Sequence, residues 1–136
     1  MRVVIDPNVL ISAFISRRGG APDRIVRAWR DGAFELIVSP QLIAELTDVL
    51  ARPKFSLQAG DGRAQAYVAA FAQDAIQSAD PPDPAPVTRD SDDDYLVALA
   101  RAAGAEVIVS GDKHLLELVD LAPPVLTPRQ FAERLA

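Results

Sequence analysis

Short apolar runs alternate along this chain with longer segments of helical period. Residues 3–5 are apolar at consecutive positions and all β-branched, which is typical of a strand covered on both faces in a parallel sheet. Similar runs predict strands at 34–38, 106–110 and 125–126. Apolar residues spaced by three and four predict helices between the strands. These helices are expected at 9–15, 22–31, 40–52, 63–77, 95–103, 113–119 and 128–135.

Proline and glycine mark the boundaries of these elements. Pro7, Pro22, Pro40 and Pro128 suit the first turns of helices, and Pro53 ends the third helix. Residues 55–62 are predicted to form a loop, and the proline-rich residues 80–86 an extended connector too short to separate domains. We therefore predict a single domain over residues 1–136. Its expected fold class is α/β, a three-layer α/β/α sandwich with a short central parallel sheet.

Acidic residues follow the predicted strands and begin the predicted helices. Asp6 and Asp112 come after strands, whereas Glu45 and Asp93 lie in the first turns of helices. Because strand ends and helix starts meet at one edge of a parallel sheet, we expect the four to converge. Like charges held that close require a cation. Cysteine is absent and His114 is the one histidine, so oxygen ligands favour Mg²⁺ or Mn²⁺ over zinc.

Composition and hydropathy limit the function classes and the cellular locations that we expect for the protein. The chain is 49% hydrophobic, which excludes a disordered protein, and its net charge of −5 argues against a general nucleic-acid binder. An acidic site can still accept a phosphodiester through bound metal ions, which polarise the phosphoryl group and activate water. We find no signal peptide and no apolar run of membrane-spanning length. We therefore expect a soluble, cytoplasmic protein with no membrane partner.

Four motifs, in order and at matching spacing, resemble PIN-domain proteins. They are Val-Val-Ile-Asp-Pro-Asn-Val-Leu-Ile-Ser-Ala at 3–13, Ser-Pro-Gln-Leu-Ile-Ala-Glu-Leu at 39–46, Arg-Asp-Ser-Asp-Asp-Asp-Tyr-Leu-Val-Ala-Leu-Ala at 89–100 and Val-Ser-Gly-Asp-Lys-His-Leu-Leu at 109–116. The resemblance runs from residue 2 to about residue 131 and is closest to toxins of bacterial toxin–antitoxin systems, relatives of VapC. It implies an Mg²⁺-dependent (or Mn²⁺-dependent) endoribonuclease that cleaves RNA and is inhibited by a cognate antitoxin. Homodimers are common in that branch.

The resemblance also implies roles for individual residues. The acidic positions that the family uses for metal binding and catalysis are matched by Asp6, Glu45, Asp93 and Asp112. Asp94 is the alternative to Asp93. Asn8 and Ser110 match polar positions that hold the carboxylates by hydrogen bonds. The sequence departs from the family pattern at Pro7 and His114, where relatives often have other residues, Asp in the second case.

A basic segment precedes and includes the second predicted helix, and it is most simply a solvated face. The alternative is a set of contacts for RNA phosphates or for an acidic antitoxin. The candidates for RNA contact are Arg17, Arg18, Arg24, Arg27 and, from the fourth motif, His114.

Structural explanations compete with these functional ones. Acidic residues at 90, 92 and 94 are explained by the helix macrodipole and capping, Asp112 by an N-cap, and Glu45 by a solvated helix face. Two other functions also remain open. A haloacid-dehalogenase-like phosphatase also begins with a strand ending in Asp, but it needs a second Asp where Asn8 lies. The other is a PIN-like module that binds RNA or a partner without cutting.

Overall fold

The computed structural model describes residues 1–16, 18–82, 91–118 and 120–136, and the elements named below belong to these ranges. Five strands, eight α-helices and one 3₁₀ turn make up this described part of the chain. In chain order they are β1 (Arg2–Ile5), α1 (Pro7–Ile15), α2 (Ala21–Arg30), β2 (Glu35–Val38), α3 (Pro40–Leu50), the 3₁₀ turn (Pro53–Phe55), α4 (Ser56–Ala59), α5 (Arg63–Asp74), β3 (Ile76–Gln77), α6 (Ser91–Ala102), β4 (Val107–Val109), α7 (Lys113–Leu116), β5 (Val125–Leu126) and α8 (Pro128–Leu135).

The strands form one parallel sheet in the order β3-β2-β1-β4-β5. β1 is central, and Val3 is paired with Leu36 of β2 on one side and with Val107 of β4 on the other. The chain steps outward from β1 to β3 and then crosses back to β4 and β5. Its direction therefore reverses between β1 and β4, where doubly wound sheets open a crevice at their carboxyl ends.

Helices cover both faces of the sheet, which explains why β1 is apolar at three consecutive positions, Val3, Val4 and Ile5. Val3 and Val4 are fully buried and Ile5 is 1% exposed. On one side, α8, α2, α1, α3 and α5 pack against one another in that order, while α6 packs on β1 and β4. Right-handed crossovers in opposite directions place helices on opposite faces. The predicted fold class, a parallel sheet between helical layers, is confirmed.

Three predictions of local structure were wrong, and the simplest is the helix expected at 113–119, which ends at Leu116. The helix expected at 63–77 ends at Asp74, and the last two of those residues form an edge strand beside β2. Ile76 and Gln77 directly follow the helix and include a polar residue, so no separate apolar run marks them as a strand. The loop expected at 55–62 contains the single-turn helix α4, which is below the length that sequence periodicity can detect.

Some predictions fall on residues outside the described ranges. Arg17, Asp90 and the second half of the proline-rich connector are among them. Within the described ranges, no helix has the length and the apolar composition needed to cross a membrane.

Candidate active site

A cleft of about 60 Å³ lies at the carboxyl edge of the sheet, beside the switch point between β1 and β4. The carboxylates on its wall include the four singled out from the sequence, which are Asp6, Glu45, Asp93 and Asp112. No lysine or arginine is found among the cleft residues that the structure describes. The cleft is therefore strongly acidic, and its charge comes from four different elements or their caps.

Asp6 is placed by the junction of β1 and α1. Pro7 cannot continue the strand and begins the helix, so Asp6 becomes the N-cap residue. Its Oδ1 accepts the backbone N–H of Asn8 at 3.0 Å, and its Oδ2 accepts the Ser110 hydroxyl at 2.8 Å. The residue is 6% exposed. These bonds hold a buried carboxylate in one orientation, and Asn8 contributes its backbone to them.

Ser110 connects two of the cleft carboxylates. It is fully buried at the end of β4, where its hydroxyl donates to Asp6 and accepts the backbone N–H of Asp112 at 3.0 Å. Asp112 in turn caps α7, because its Oδ1 accepts the backbone N–H of His114 at 2.8 Å. The capping explanation for Asp112 is thus correct, and the same side chain also lines the cleft.

The opposite wall comes from α3 and α6. Glu45 is exposed on the second turn of α3, whereas Asp93 is only 3% exposed in the first turn of α6. Asp92 also lines the cleft, although the sequence analysis explained this residue by the macrodipole and capping of a helix. Asp94 is 8% exposed and is not among the cleft residues that the structure describes. The placement therefore favours Asp93 over Asp94 as the cleft residue of α6.

Two uncharged polar residues of the wall, Gln41 and Tyr95, were not predicted as site residues. Gln41 lies four positions before Glu45 on α3, so helical spacing could have placed it on the same face. Tyr95 lies on α6, is buried, and donates a hydrogen bond to Oδ1 of Asp80 at 2.5 Å. It is also hydrogen-bonded to the hydroxyl of Ser39. No local pattern links these last three residues, which are far apart in the sequence.

Burial and charge perturb two groups of this network. Burial raises the pKa of the Tyr95 phenol, and so do the hydrogen bond to Asp80 and the nearby charge of Glu45. The hydrogen bond from Tyr95 lowers the pKa of the Asp80 carboxyl from its usual 3.8. The phenol therefore stays protonated and the carboxylate stays charged at neutral pH.

Comparison with known proteins identifies the family. The family model of the PIN domain matches residues 2–114. The chain belongs to the PIN-domain family. The matched segment contains all four predicted carboxylates, and the match confirms the resemblance of the four motifs.

Two relatives extend this result. The PIN-domain chain is 29% identical over 143 residues to the uncharacterized protein MJ1680 of Methanocaldococcus jannaschii, covering 98% of this chain and 90% of that protein. It is also similar to a crystal structure of VapBC2 from Rickettsia felis bound to a DNA fragment from their promoter. The TM-score is 0.58 at 13% identity, over 93% of this chain and 98% of the other. At that identity the likeness shows the fold.

The RNA-contact candidates of this PIN domain do not line the carboxylate cleft in the described part of the chain. Arg18 and Arg27 lie on a separate groove of about 940 Å³, together with Arg30 and Arg63. Arg27 forms an ion pair with Asp23 at 3.0 Å. Arg24 is exposed but borders neither the groove nor the cleft, and neither does His114.

The cleft suits a hard divalent cation by its chemistry. Its charged groups are carboxylates, whose oxygens are the donors that Mg²⁺ and Mn²⁺ prefer. Its volume leaves room for an ion with a few waters. Among the described residues, however, no group of three or more acidic, histidine or cysteine side chains is already gathered at metal-binding geometry. The donors therefore fit such an ion in kind.

Proposed function

We propose that this PIN-domain protein is a metal-dependent endoribonuclease that hydrolyses RNA phosphodiester bonds. The observation that carries the proposal is the convergence of Asp6, Glu45, Asp93 and Asp112 on one cleft at the switch point of the sheet. PIN domains are typically nucleases, which supports the reaction class. The preference for RNA rests on the motif resemblance.

The four carboxylates are proposed to hold Mg²⁺ or Mn²⁺, which supplies a Lewis acid at the phosphate and a bound water of lowered pKa. The bonds from Ser110 and from the Asn8 backbone fix the Asp6 carboxylate, so little reorganisation is needed when charge develops. Glu45 is the most exposed of the four and is proposed to take the proton of the attacking water.

The proposed reaction is balanced by one water molecule. Its oxygen forms a bond to phosphorus as the bond to the 3′-oxygen breaks, and the 3′-oxygen leaves with a proton. The products are a 5′-phosphate and a 3′-hydroxyl. Arg18, Arg24, Arg27 and His114 remain proposed RNA contacts, and so does Arg17.

We also propose that the protein is the toxin of a type II toxin–antitoxin system. The support is the motif resemblance to the VapC branch, together with a fold like that in the VapBC2 structure. A cognate antitoxin is then the expected partner, a homodimer the expected assembly, and the cytoplasm the expected location. The neighbouring reading frame checks this. A small protein with a DNA-binding start and a charged helical tail, encoded just upstream, is the expected finding.

A cleavage assay with purified protein tests the nuclease proposal. RNA should be cut with Mg²⁺ or Mn²⁺ and should stay intact with EDTA, and Asp6→Asn should abolish cutting. Asp74→Asn, at the exposed end of α5, is the matched control and should cut at the wild-type rate. If Asp6→Asn cuts as fast as the wild type, the site assignment fails. If the wild type binds Mn²⁺ but cuts no RNA, the chain is a non-catalytic PIN module.

A further inference from the structure

The first turn of α3 is capped by two side chains from different parts of the chain. Ser39, the N-cap residue, accepts the backbone N–H of Leu42 at 3.3 Å. Asp80, 39 residues after Gln41, accepts the backbone N–H of Gln41 at 3.0 Å through Oδ1. The first N–H groups of a helix have no partners within it, so these two acceptors define where α3 begins.

Tyr95 of α6 joins both capping groups. Its hydroxyl donates to Oδ1 of Asp80 at 2.5 Å and is hydrogen-bonded to the Ser39 hydroxyl. A phenol has one proton, and here Asp80 receives it, so Ser39 is the donor to Tyr95. The two hydrogen bonds therefore form a chain, in which the Ser39 hydroxyl donates to Tyr95 and the Tyr95 hydroxyl donates to Asp80. Tyr95 is only 7% exposed, whereas Asp80 is exposed, so the phenol lies between the protein interior and a carboxylate at the surface.

The junction links two helices that otherwise rest on different parts of the fold. The main packing partners of α3 are α1 and α5, whereas those of α6 are β1 and β4. Glu45 is on α3, and Asp93 is two residues before Tyr95 on α6. This direct polar link beside the cleft joins the helix that carries Glu45 to the helix that carries Asp93.

We propose that Tyr95 is a positioning residue, which acts with Asp80 and Ser39 to fix the separation of Glu45 and Asp93 across the cleft. This inference rests on the proposed function of the cleft. Tyr95 acts through geometry because its proton is already donated to Asp80. Pro81 and Pro82 follow Asp80 and restrict its backbone, which reduces the entropy lost in holding the junction.

Tyr95→Phe tests the inference because it removes the hydroxyl and keeps the ring. Tyr67→Phe is the matched control. Tyr67 is also a buried tyrosine, and its hydroxyl donates to the Leu10 carbonyl at 2.6 Å, away from the cleft. Two readouts are needed for each protein. One is the steady-state kinetics of RNA cutting, and the other is the Mn²⁺ concentration that gives half of the maximal thermal stabilisation.

We expect Tyr95→Phe to lower kcat about 10-fold and to raise the half-saturating Mn²⁺ concentration by about the same factor. The KM for RNA should change less than about twofold, since no substrate contact is removed. Tyr67 lines the groove that holds Arg18 and Arg27, so this control is compared by kcat and by Mn²⁺ dependence alone, and Tyr67→Phe should leave both unchanged. Asp80→Ala should reproduce the effect of Tyr95→Phe, and the double variant should be no worse than the more damaged single variant.

The outcomes separate this inference from the nuclease proposal. If Tyr95→Phe matches Tyr67→Phe in kcat and in Mn²⁺ dependence, Tyr95 positions nothing and the inference is overturned. Suppose that the wild type cuts no RNA but is stabilised by Mn²⁺, and that Tyr95→Phe weakens Mn²⁺ binding whereas Tyr67→Phe does not. The inference is then supported and the nuclease proposal fails. If the wild type neither cuts RNA nor is stabilised by Mn²⁺, both are overturned.

Discussion

The hydroxyl of Ser110 donates a hydrogen bond to Oδ2 of Asp6 at 2.8 Å, across 104 positions of the sequence. Each residue directly follows one of two adjacent strands, and both are buried. A buried carboxylate is costly unless hydrogen bonds or a cation compensate for lost hydration. The serine therefore stabilises the charge that β1 brings to the carboxyl edge, and the paired strands β1 and β4 set the distance between the two side chains.

Ser110→Ala should weaken both stability and catalysis. It removes the donor to Asp6 and the acceptor of the Asp112 N–H, so a free energy of unfolding lower by about 1–3 kcal/mol is expected. We expect kcat for RNA cutting to fall about 10-fold, because the Asp6 carboxylate loses its fixed orientation. Urea unfolding and cleavage kinetics measure the two effects. The control is Thr47→Ala, which removes an exposed hydroxyl hydrogen bond on α3 and should leave kcat unchanged. If the wild type, Ser110→Ala and Thr47→Ala have equal kcat, the role of Ser110 is refuted.

The sequence could predict this part of the site because local patterns determine it. Apolar runs ending at Asp6 and at Ser110 predict buried strands, and parallel strands bring their carboxyl ends to one edge. Helical periodicity places Glu45 and Asp93 near the starts of α3 and α6. The convergence of the four carboxylates on one cleft follows from the sheet topology.

Other features could not be predicted because they depend on tertiary contacts. Asp80 belongs to a proline-rich segment, and nothing in the sequence indicates that it caps α3 or meets Tyr95. β3 follows α5 without a break and has no apolar run of its own, so only its pairing with β2 reveals it. Asp92 and Asp93 have the same chemistry and neighbouring positions, and only the packing of α6 determines how each faces the cleft.

Substitution of adjacent aspartates should separate catalysis from helix capping. Asp93→Asn should lower kcat about 100-fold or more, because Asp93 lines the cleft. Asp94→Asn should keep most of the activity, since Asp94 is not among the described cleft residues. Both side chains are buried, at 3% and 8% exposure, so urea unfolding should show comparable losses of stability. A greater loss of kcat in Asp94→Asn would instead make Asp94 the catalytic residue of α6.

Metal removal should change the stability of the wild-type protein. A ligand that binds only the folded state stabilises it by about 2.7 kcal/mol at 100 times its Kd, so Mn²⁺ should raise the Tm and EDTA should reverse the rise. Glu45→Gln should shift the Mn²⁺ titration to higher concentration. Asp48→Asn, three residues further along α3 and also exposed, is the control and should titrate like the wild type. A Tm that does not respond to Mn²⁺ in any of these proteins would exclude a metal site in the cleft.

The Asp80 carboxylate should make folding stability depend on acidic pH. The hydrogen bond from Tyr95 lowers the pKa of Asp80 in the folded protein below its usual 3.8. A lowered pKa means that the charged form stabilises the fold above the unfolded-state value, and that this contribution disappears as the pH falls through the folded-state pKa. Asp80 is exposed, so the effect should stay below about 1 kcal/mol.

Urea unfolding of the wild type and Asp80→Asn measures this dependence. The difference in unfolding free energy should be constant between about pH 7 and pH 5, because Asp80 is charged throughout that range. It should shrink below about pH 4, where the Asp80 carboxyl of the unfolded chain begins to be protonated while that of the folded protein is still charged. Tyr95→Phe removes the largest cause of the pKa shift, so Asp80→Asn made in that background should show a weaker pH dependence. A difference that stays the same down to about pH 3 would mean that the junction does not depend on the charge of Asp80.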